Sequence, residues 1–182
     1  MSSPNTENTL FADVVLPLAV PRPYTYMVAG PHQKLAKIGK RVVVPLGKRK
    51  LYTGIICNIH NQKPAYETKE ISDFLDEFPI VYEEQILFWE WLRTYYMCTL
   101  GEVMNAAIPV GLKLESETKI RKNLATEIDW NALKDEEYLL LEALEFQAEI
   151  SIAEAGKILQ LQNPLRIIKH MLERDFIVLE EE

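Results

Sequence analysis

The apolar residues of this chain change period once, between about residue 75 and residue 82, and that change limits what it can fold into. Before it they alternate in short runs: TLFADVVL (9–16), YTYMV (24–28), GKRVVVPL (39–46) and KLYTGIICNIH (50–60). A period of two places successive side chains on opposite faces of a strand. PLAVPRP (17–23) carries three prolines, which remove backbone donors and favour an extended linker or edge segment. A short turn around Gly47 and Lys48 separates the last two runs, and EISDFL (70–75) offers one more strand. The first 75 residues read as a small, mostly β unit, a closed or half-closed barrel.

After the change the period is helical. YEEQILFWEWLRTYYM (82–97) spaces Leu87, Trp91 and Tyr95 by four, with Phe88 and Leu92 beside them, as one wide apolar face. Glu83 and Glu84 lie in its first turn, where the helix dipole favours them. Thr99 and Glu102 have the spacing of a capping box opening a second helix, which Pro109 stops. Residues 111–134 are polar and read as an inter-domain segment. DEEYLLLEALEFQ (135–147) is amphipathic, and Ser151 with Glu154 forms another capping box, for a helix to about Leu159. Asn163-Pro164 supplies an N-cap followed by proline at the first helical position, for a helix to about Arg174. FIVLE (176–180) then alternates as a strand. The order helix, helix, short turn, helix, strand is that of a winged helix-turn-helix. The fold class expected is α+β in two domains, a β-rich domain over 1–112 with two helices at its end and a winged helix over 113–182. The chain stops before a second wing strand can return, so the wing is expected to be cut short, as in a fragment of a longer protein.

Composition narrows the function classes. With 182 residues and 48 % hydrophobic content the chain can bury a core in each domain. No apolar run approaches the roughly 18 residues of a membrane helix. MSSPNTENTL lacks the basic start and apolar stretch of a signal peptide. Cys57 and Cys98 are expected to be reduced core residues of a cytosolic protein, and His32, His60 and His170 lack ligand spacing. The net charge of −7 is unevenly placed: residues 1–112 balance at 11 basic and 11 acidic, whereas 113–182 carry 9 and 16. Between Asp13 and Glu67 there is no acidic residue and there are nine basic ones: Arg22, Lys34, Lys37, Lys40, Arg41, Lys48, Arg49, Lys50 and Lys63. Such a field suits an anionic partner through counterion release; a basic solvated face is the alternative.

No catalytic constellation is found. GxxxxGK[ST], HExxH, CxxC and GxSxG are all missing from the sequence. Asp73, Asp76 and Glu77 read as a solvated acidic turn. The β unit is more suggestive, because single-stranded nucleic acid is held by aromatic faces and by cations along its backbone. Tyr24 and Tyr26 lie beside Arg22 and share one strand face, while Lys48, Arg49 and Lys50 crowd one turn. Ordinary strand packing is the alternative for the two tyrosines. Gly47 permits close backbone approach of a ligand. In the C-terminal domain the third helix offers Arg166, Lys169, His170 and Arg174 to a groove, in surroundings acidic enough that protein contact is equally open.

Four motifs in order carry a family likeness. VVLPLAVPRPYTY followed by KIGKRVVVPLGKRKLYTGII, then TKEISDFLDEFPIV, then YYMCTLGEVMNAAIPVGL, resemble the opening of the PriA (primosomal protein N′) family of replication-restart helicases. The likeness covers about residues 10–112 well and the rest more loosely. The resemblance implies a first domain that binds the 3′ end of a DNA strand and a winged helix that engages fork duplex. It implies Tyr24, Thr25, Gly47 and Lys69 at the 3′-end site; Arg22, Tyr26, Lys48, Arg49 and Lys50, singled out above by the aromatic and basic pattern, are expected to support it. Tyr24 stands where the family usually has Phe, and Thr25 where it usually has Asp. Lys69 would reach a terminal phosphate. The family's ATP, magnesium and zinc would be bound by regions outside this chain, leaving it with no cofactor or catalytic residue of its own. The partners implied are single-stranded and forked DNA, and, through the full-length protein, single-stranded-DNA-binding protein and primosome proteins. A monomeric bacterial cytoplasmic protein acting at replication forks is expected. A winged-helix protein-interaction module is the second reading, and a small enzyme whose site is not recognised is the third.

Overall fold

The computed structural model describes residues 9–47, 50–114, 118–161 and 163–179. The chain is α+β and divides into two compact units between Pro109 and Val110. In the first unit β1 (Leu10–Val15), β2 (Tyr24–Val28), β3 (Arg41–Leu46), β4 (Lys50–His60) and β5 (Asp73–Phe74) form one antiparallel sheet in the order β2-β1-β4-β3-β5. Its core gathers Val14, Tyr26, Val42, Val44, Ile56 and Phe74, alternate positions of paired strands. Each fully buried aliphatic side chain contributes on the order of 2 kcal/mol.

The barrel expected from the sequence is not closed. β5 pairs over two residues only, Val42 with Phe74 and Val43 with Asp73. The chain before it reaches edge strand β2 through a single parallel bridge, Met27 to Glu70. One bridge cannot continue a ladder, so the sheet stays open.

Two helices complete this unit, α1 (Glu83–Tyr96) and α2 (Leu100–Ala107). The apolar face expected of α1 is corrected. Its buried residues are Ile86 and Trp89, whereas Leu87, Phe88, Trp91 and Tyr95 are exposed. The rings stack on one another instead: Phe88 lies 5.8 Å from Trp91, and Trp91 5.1 Å from Tyr95. Spacing by four identifies a stripe but not which stripe meets the sheet. α2 opens with the expected capping box, the Glu102 carboxylate accepting from the Thr99 N–H at 2.8 Å and the Thr99 hydroxyl accepting from the Glu102 N–H. It docks through Gly101, where a Cβ would stand 2.0 Å from the Leu18 carbonyl oxygen. That close approach holds the proline-rich connector between β1 and β2.

Asp76 also departs from expectation. It forms a nearly buried pair with Arg41, Nη2 to Oδ1 at 2.6 Å, with Arg41 Nε on Oδ2 at 2.9 Å. The acidic turn is therefore a bidentate clamp on β3. A partner 35 positions away is invisible to local pattern.

In the second unit β6 (Lys119–Lys122), β7 (Ile150–Ser151) and β8 (Ile177–Leu179) form a small antiparallel sheet in the order β7-β6-β8. Against it pack α3 (Asp135–Phe146), α4 (Ile152–Ile158) and α5 (Leu165–Glu173), around Ile120, Leu140, Leu141, Ile152, Ile168 and Met171. The central strand β6 lies in the stretch expected to be a linker. Its sequence, KIRK, places one apolar residue, Ile120, in the core, and the flanking cations hide it from a composition reading. Among the described residues no helix is long and apolar enough to cross a membrane.

Candidate functional site

An interior strand of an apolar sheet is an unusual place for a carboxylate, yet β1 carries Asp13. It pairs with Thr25 of β2 on one side and Asn58 of β4 on the other, so the three polar side chains form a row across the sheet. The Thr25 hydroxyl donates to Asp13 Oδ1 at 2.7 Å, and Asn58 Nδ2 donates to Oδ2 at 3.0 Å. His60 Nε2 lies 3.3 Å from Oδ1. The Gln62 backbone N–H donates to His60 Nδ1 at 3.2 Å, which leaves the proton on Nε2, facing the carboxylate.

The ladder between β1 and β4 shifts register between Asp13 and Val14, with Cys57 as the extra residue. Such a bulge re-aims the side chains beside it. Cys57 Sγ–H donates to the Asp13 carbonyl at 3.3 Å. Burial raises the Asp13 pKa, but the hydrogen bonds from Thr25, Asn58 and His60 outweigh it and hold the carboxyl below its ordinary value. Burial, reinforced by the Asp13 charge, pushes the Cys57 thiol up to about 12. It is a structural thiol rather than a nucleophile.

This row floors a cleft of about 990 Å³, bordered by Arg22 and Tyr24 on the proline-rich connector side and by Leu87 and Glu90 of α1. Arg22 is exposed, Tyr24 is 36 % exposed, and Thr25 is half-buried. The cleft therefore offers a cation, a ring face and hydrogen-bonding groups together.

Gly47 and Lys69 meet elsewhere in the unit. The Lys69 ammonium donates to the Gly47 carbonyl, and the Lys69 carbonyl accepts from Met27 N–H at 2.8 Å. Gly47 has φ +65° with open space where a Cβ would stand, so glycine is needed there by the backbone. Neither residue lines the cleft. Tyr26 connects the two places from behind: it is 3 % exposed and its hydroxyl donates to the Pro45 carbonyl at 3.3 Å. It supports the surface without forming part of it. Lys50 is exposed, and Lys48 and Arg49 lie outside the described residues. Two cations of the acid-free run, Lys40 and Arg41, are buried and do not add to a surface field.

In the second unit Arg166 is exposed, and Lys169 lies 3.8 Å from Glu173 on the same helix. Arg174 and His170 converge on Glu137 of α3, at 3.1 Å and 2.9 Å, and the Arg174 guanidinium covers the Phe176 ring at 4.2 Å. Of the expected groove-facing set, Arg174 is thus committed within the fold. Among the described residues no group of three or more His, Cys, Asp or Glu could hold a metal ion.

Pattern reading missed Asp13, Asn58 and His60. One signal existed: an aspartate inside a strand-forming run, where it is disfavoured and needs partners.

Residues 13–109 match the family model described as the 3′DNA-binding domain (3′BD) of PriA. Relatives named replication restart protein PriA include that of Bacillus subtilis, 27 % identical over 116 residues, or 61 % of this chain and 14 % of that protein. That of Haemophilus influenzae is 31 % identical over 133 residues, 68 % of this chain and 17 % of the relative. That of Treponema pallidum is 26 % identical over 102 residues, 53 % and 16 %. The chain matches between about one-seventh and one-sixth of the length of these relatives.

Proposed function

This chain belongs to the PriA 3′DNA-binding domain family, and from that premise we propose that it supplies the DNA-binding opening of a replication-restart protein. Its first unit recognises the 3′ end of a nascent strand. Its second unit, read as a winged helix from its order of helices and strands, engages the branched duplex. Together they position an ATP-driven 3′-to-5′ helicase motor carried by the remainder of such a protein. The partners proposed are forked DNA with a free 3′ end and, through the whole protein, single-stranded-DNA-binding protein and primosome proteins. Nothing in the chain itself is assigned a catalytic role.

The observation that carries this reading is the cleft beside β2, where a half-exposed Tyr24 ring, the exposed Arg22 and a row of hydrogen-bonding side chains meet. A ring stacks a base without regard to sequence, a cation holds the backbone phosphate, and polar groups test the terminus. A 3′ end differs from an internal nucleotide by a free hydroxyl and by lacking a further phosphate. A site that leaves polar partners unpaired or sets like charges together discriminates both differences. Lys69 and the Gly47 turn form a second basic point on the same unit, suited to phosphate.

The test is fluorescence anisotropy at moderate salt with one forked DNA in two forms, differing only in a free or phosphorylated 3′ end at the branch. Preference for the free end is expected, with Tyr24→Ala weakening binding by about 1–3 kcal/mol and Lys69→Ala also weakening it. Equal binding to both forms, or preference unchanged in Tyr24→Ala, a Gly47 variant and Lys69→Ala alike, overturns the 3′-end assignment. One observation favours a second reading for the second unit. Arg174 is tied to Glu137 and the surrounding sequence is acidic, which suits a protein surface better than a phosphate backbone.

A further inference from the structure

Asp13 places a carboxylate in a cleft otherwise suited to an anion. No other acidic residue occurs from position 14 to 66, and the cleft is framed by Arg22 and Tyr24. Yet the fold goes to some length to place it. A bulge at Cys57 adjusts the strand beside it, and three side chains from two neighbouring strands grip it. An ionised carboxylate has about four lone-pair positions. Thr25 and His60 fill those of Oδ1, and Asn58 takes one on Oδ2. Among the described residues one position on Oδ2 is left, on a side chain that is 25 % exposed at the floor of the cleft. Glu90, the other carboxylate bordering the cleft, is paired with Arg93 at 3.3 Å.

We infer that Asp13 is the group that tells a free 3′ hydroxyl from a 3′ phosphate. It accepts the hydroxyl proton at the open position of Oδ2, and it repels a terminal phosphate by like charge. Thr25, Asn58 and His60 are its positioning residues. The inference rests on the 3′-end reading above and deepens it, because it assigns the discrimination to one oxygen. A hydrogen bond to a charged acceptor strengthens binding of the hydroxyl, while two like charges brought together in a half-buried site penalise the wrong end. The cations then provide affinity for any strand, and Asp13 provides the choice of end.

The test uses the same chain and the same pair of forked DNAs. Asp13→Asn keeps the shape, keeps one oxygen acceptor and removes the charge. Its two effects should have opposite sign: weaker binding of the hydroxyl end and tighter binding of the phosphate end, so that the preference falls on the order of tenfold. A purely structural loss would weaken both together. The double substitution Asp13→Thr with Thr25→Asp moves the carboxylate across the strand pair to its partner position. It should restore at least part of the preference that Asp13→Thr alone removes. Circular dichroism at each step verifies that the variants are folded. A clear preference in the unaltered chain that Asp13→Asn leaves intact, or shifts equally for both ends, overturns the assignment to Asp13 and spares the 3′-end reading. No preference in the unaltered chain overturns both. Failure of the swap, with Asp13→Asn behaving as expected, restricts the role to position 13 and removes the cross-strand equivalence.

Discussion

Two carboxylates, one in each unit, are built alike and finished differently. Glu137 of α3 accepts from the Lys134 N–H and from Arg174 on Oε2, and from His170 and Arg174 on Oε1. Every lone-pair position has a donor, and its side chain is 2 % exposed. Asp13 of β1 has three donors and a quarter of its surface in water. Burial works against the charge in both, and hydrogen bonds overcome it in both, so each titrates below its ordinary value. The difference is one acceptor position without a donor among the described residues and the exposure that makes it reachable. A filled carboxylate fastens helices; a carboxylate one bond short is able to read a ligand.

The comparison is broken most readily at Glu137. Glu137→Gln leaves Arg174 and His170 without their common anion. The cost expected is about 2 kcal/mol, below the figure for a fully buried pair because both partners are partly exposed. Urea unfolding followed by Trp130 fluorescence in a Trp89→Phe, Trp91→Phe background, with and without Glu137→Gln, measures it. A loss under about 0.5 kcal/mol would place Glu137 among ordinary surface pairs.

Acid sharpens the same contrast. The Glu137 carboxyl is held below its ordinary 4.5, so its stabilisation is complete above that pH and is lost as pH falls through the lowered value. Thermal melts between pH 5 and pH 3 should show the second unit weakening, and Glu137→Gln should flatten that dependence. Melts that stay parallel in the two proteins would show that other carboxyls govern the acid transition.

The smallest effect is expected at Asp13. Asp13→Asn retains shape and some of its bonds, so the melting of the first unit should move by no more than about 1 kcal/mol in equivalent stability, even as end preference collapses. A loss as large as that of Glu137→Gln would make Asp13 a structural residue like its counterpart.

How much of this was legible beforehand follows from the range of the interactions. β2 over 24–28 and β4 over 50–60 were readable because strand alternation is local. The boxes at Thr99–Glu102 and Ser151–Glu154 were readable because a cap needs only three intervening bonds of chain. The cap expected of Asn163 is corrected: Pro164 is the N-cap residue of α5 and the helix begins at Leu165, although Asn163 Oδ1 still accepts from the Leu165 N–H at 3.2 Å. β6 was hidden because only one of its four residues is apolar enough to count. The buried side of α1 depended on the sheet beneath it. Of the candidate site, Arg22, Tyr24 and Thr25 were visible from motif, whereas Asp13 gains its meaning from Thr25, 12 positions away, and Asn58, 45 away. The family pattern expects a carboxylate at position 25; here a threonine stands there and donates to a carboxylate on the next strand.

The two neighbouring tryptophans of α1 have a practical consequence. Trp89 is 5 % exposed and Trp91 is 55 % exposed, although one residue separates them. An indole shielded from water emits at shorter wavelength than one in contact with it, and a soluble collisional quencher reaches only the second. The helix that borders the cleft therefore carries a shielded lamp and an open one. With Trp130 replaced by Phe, Trp91→Phe isolates the first and Trp89→Phe the second, so opening of the core and events at the surface can be watched as separate optical signals without any attached dye.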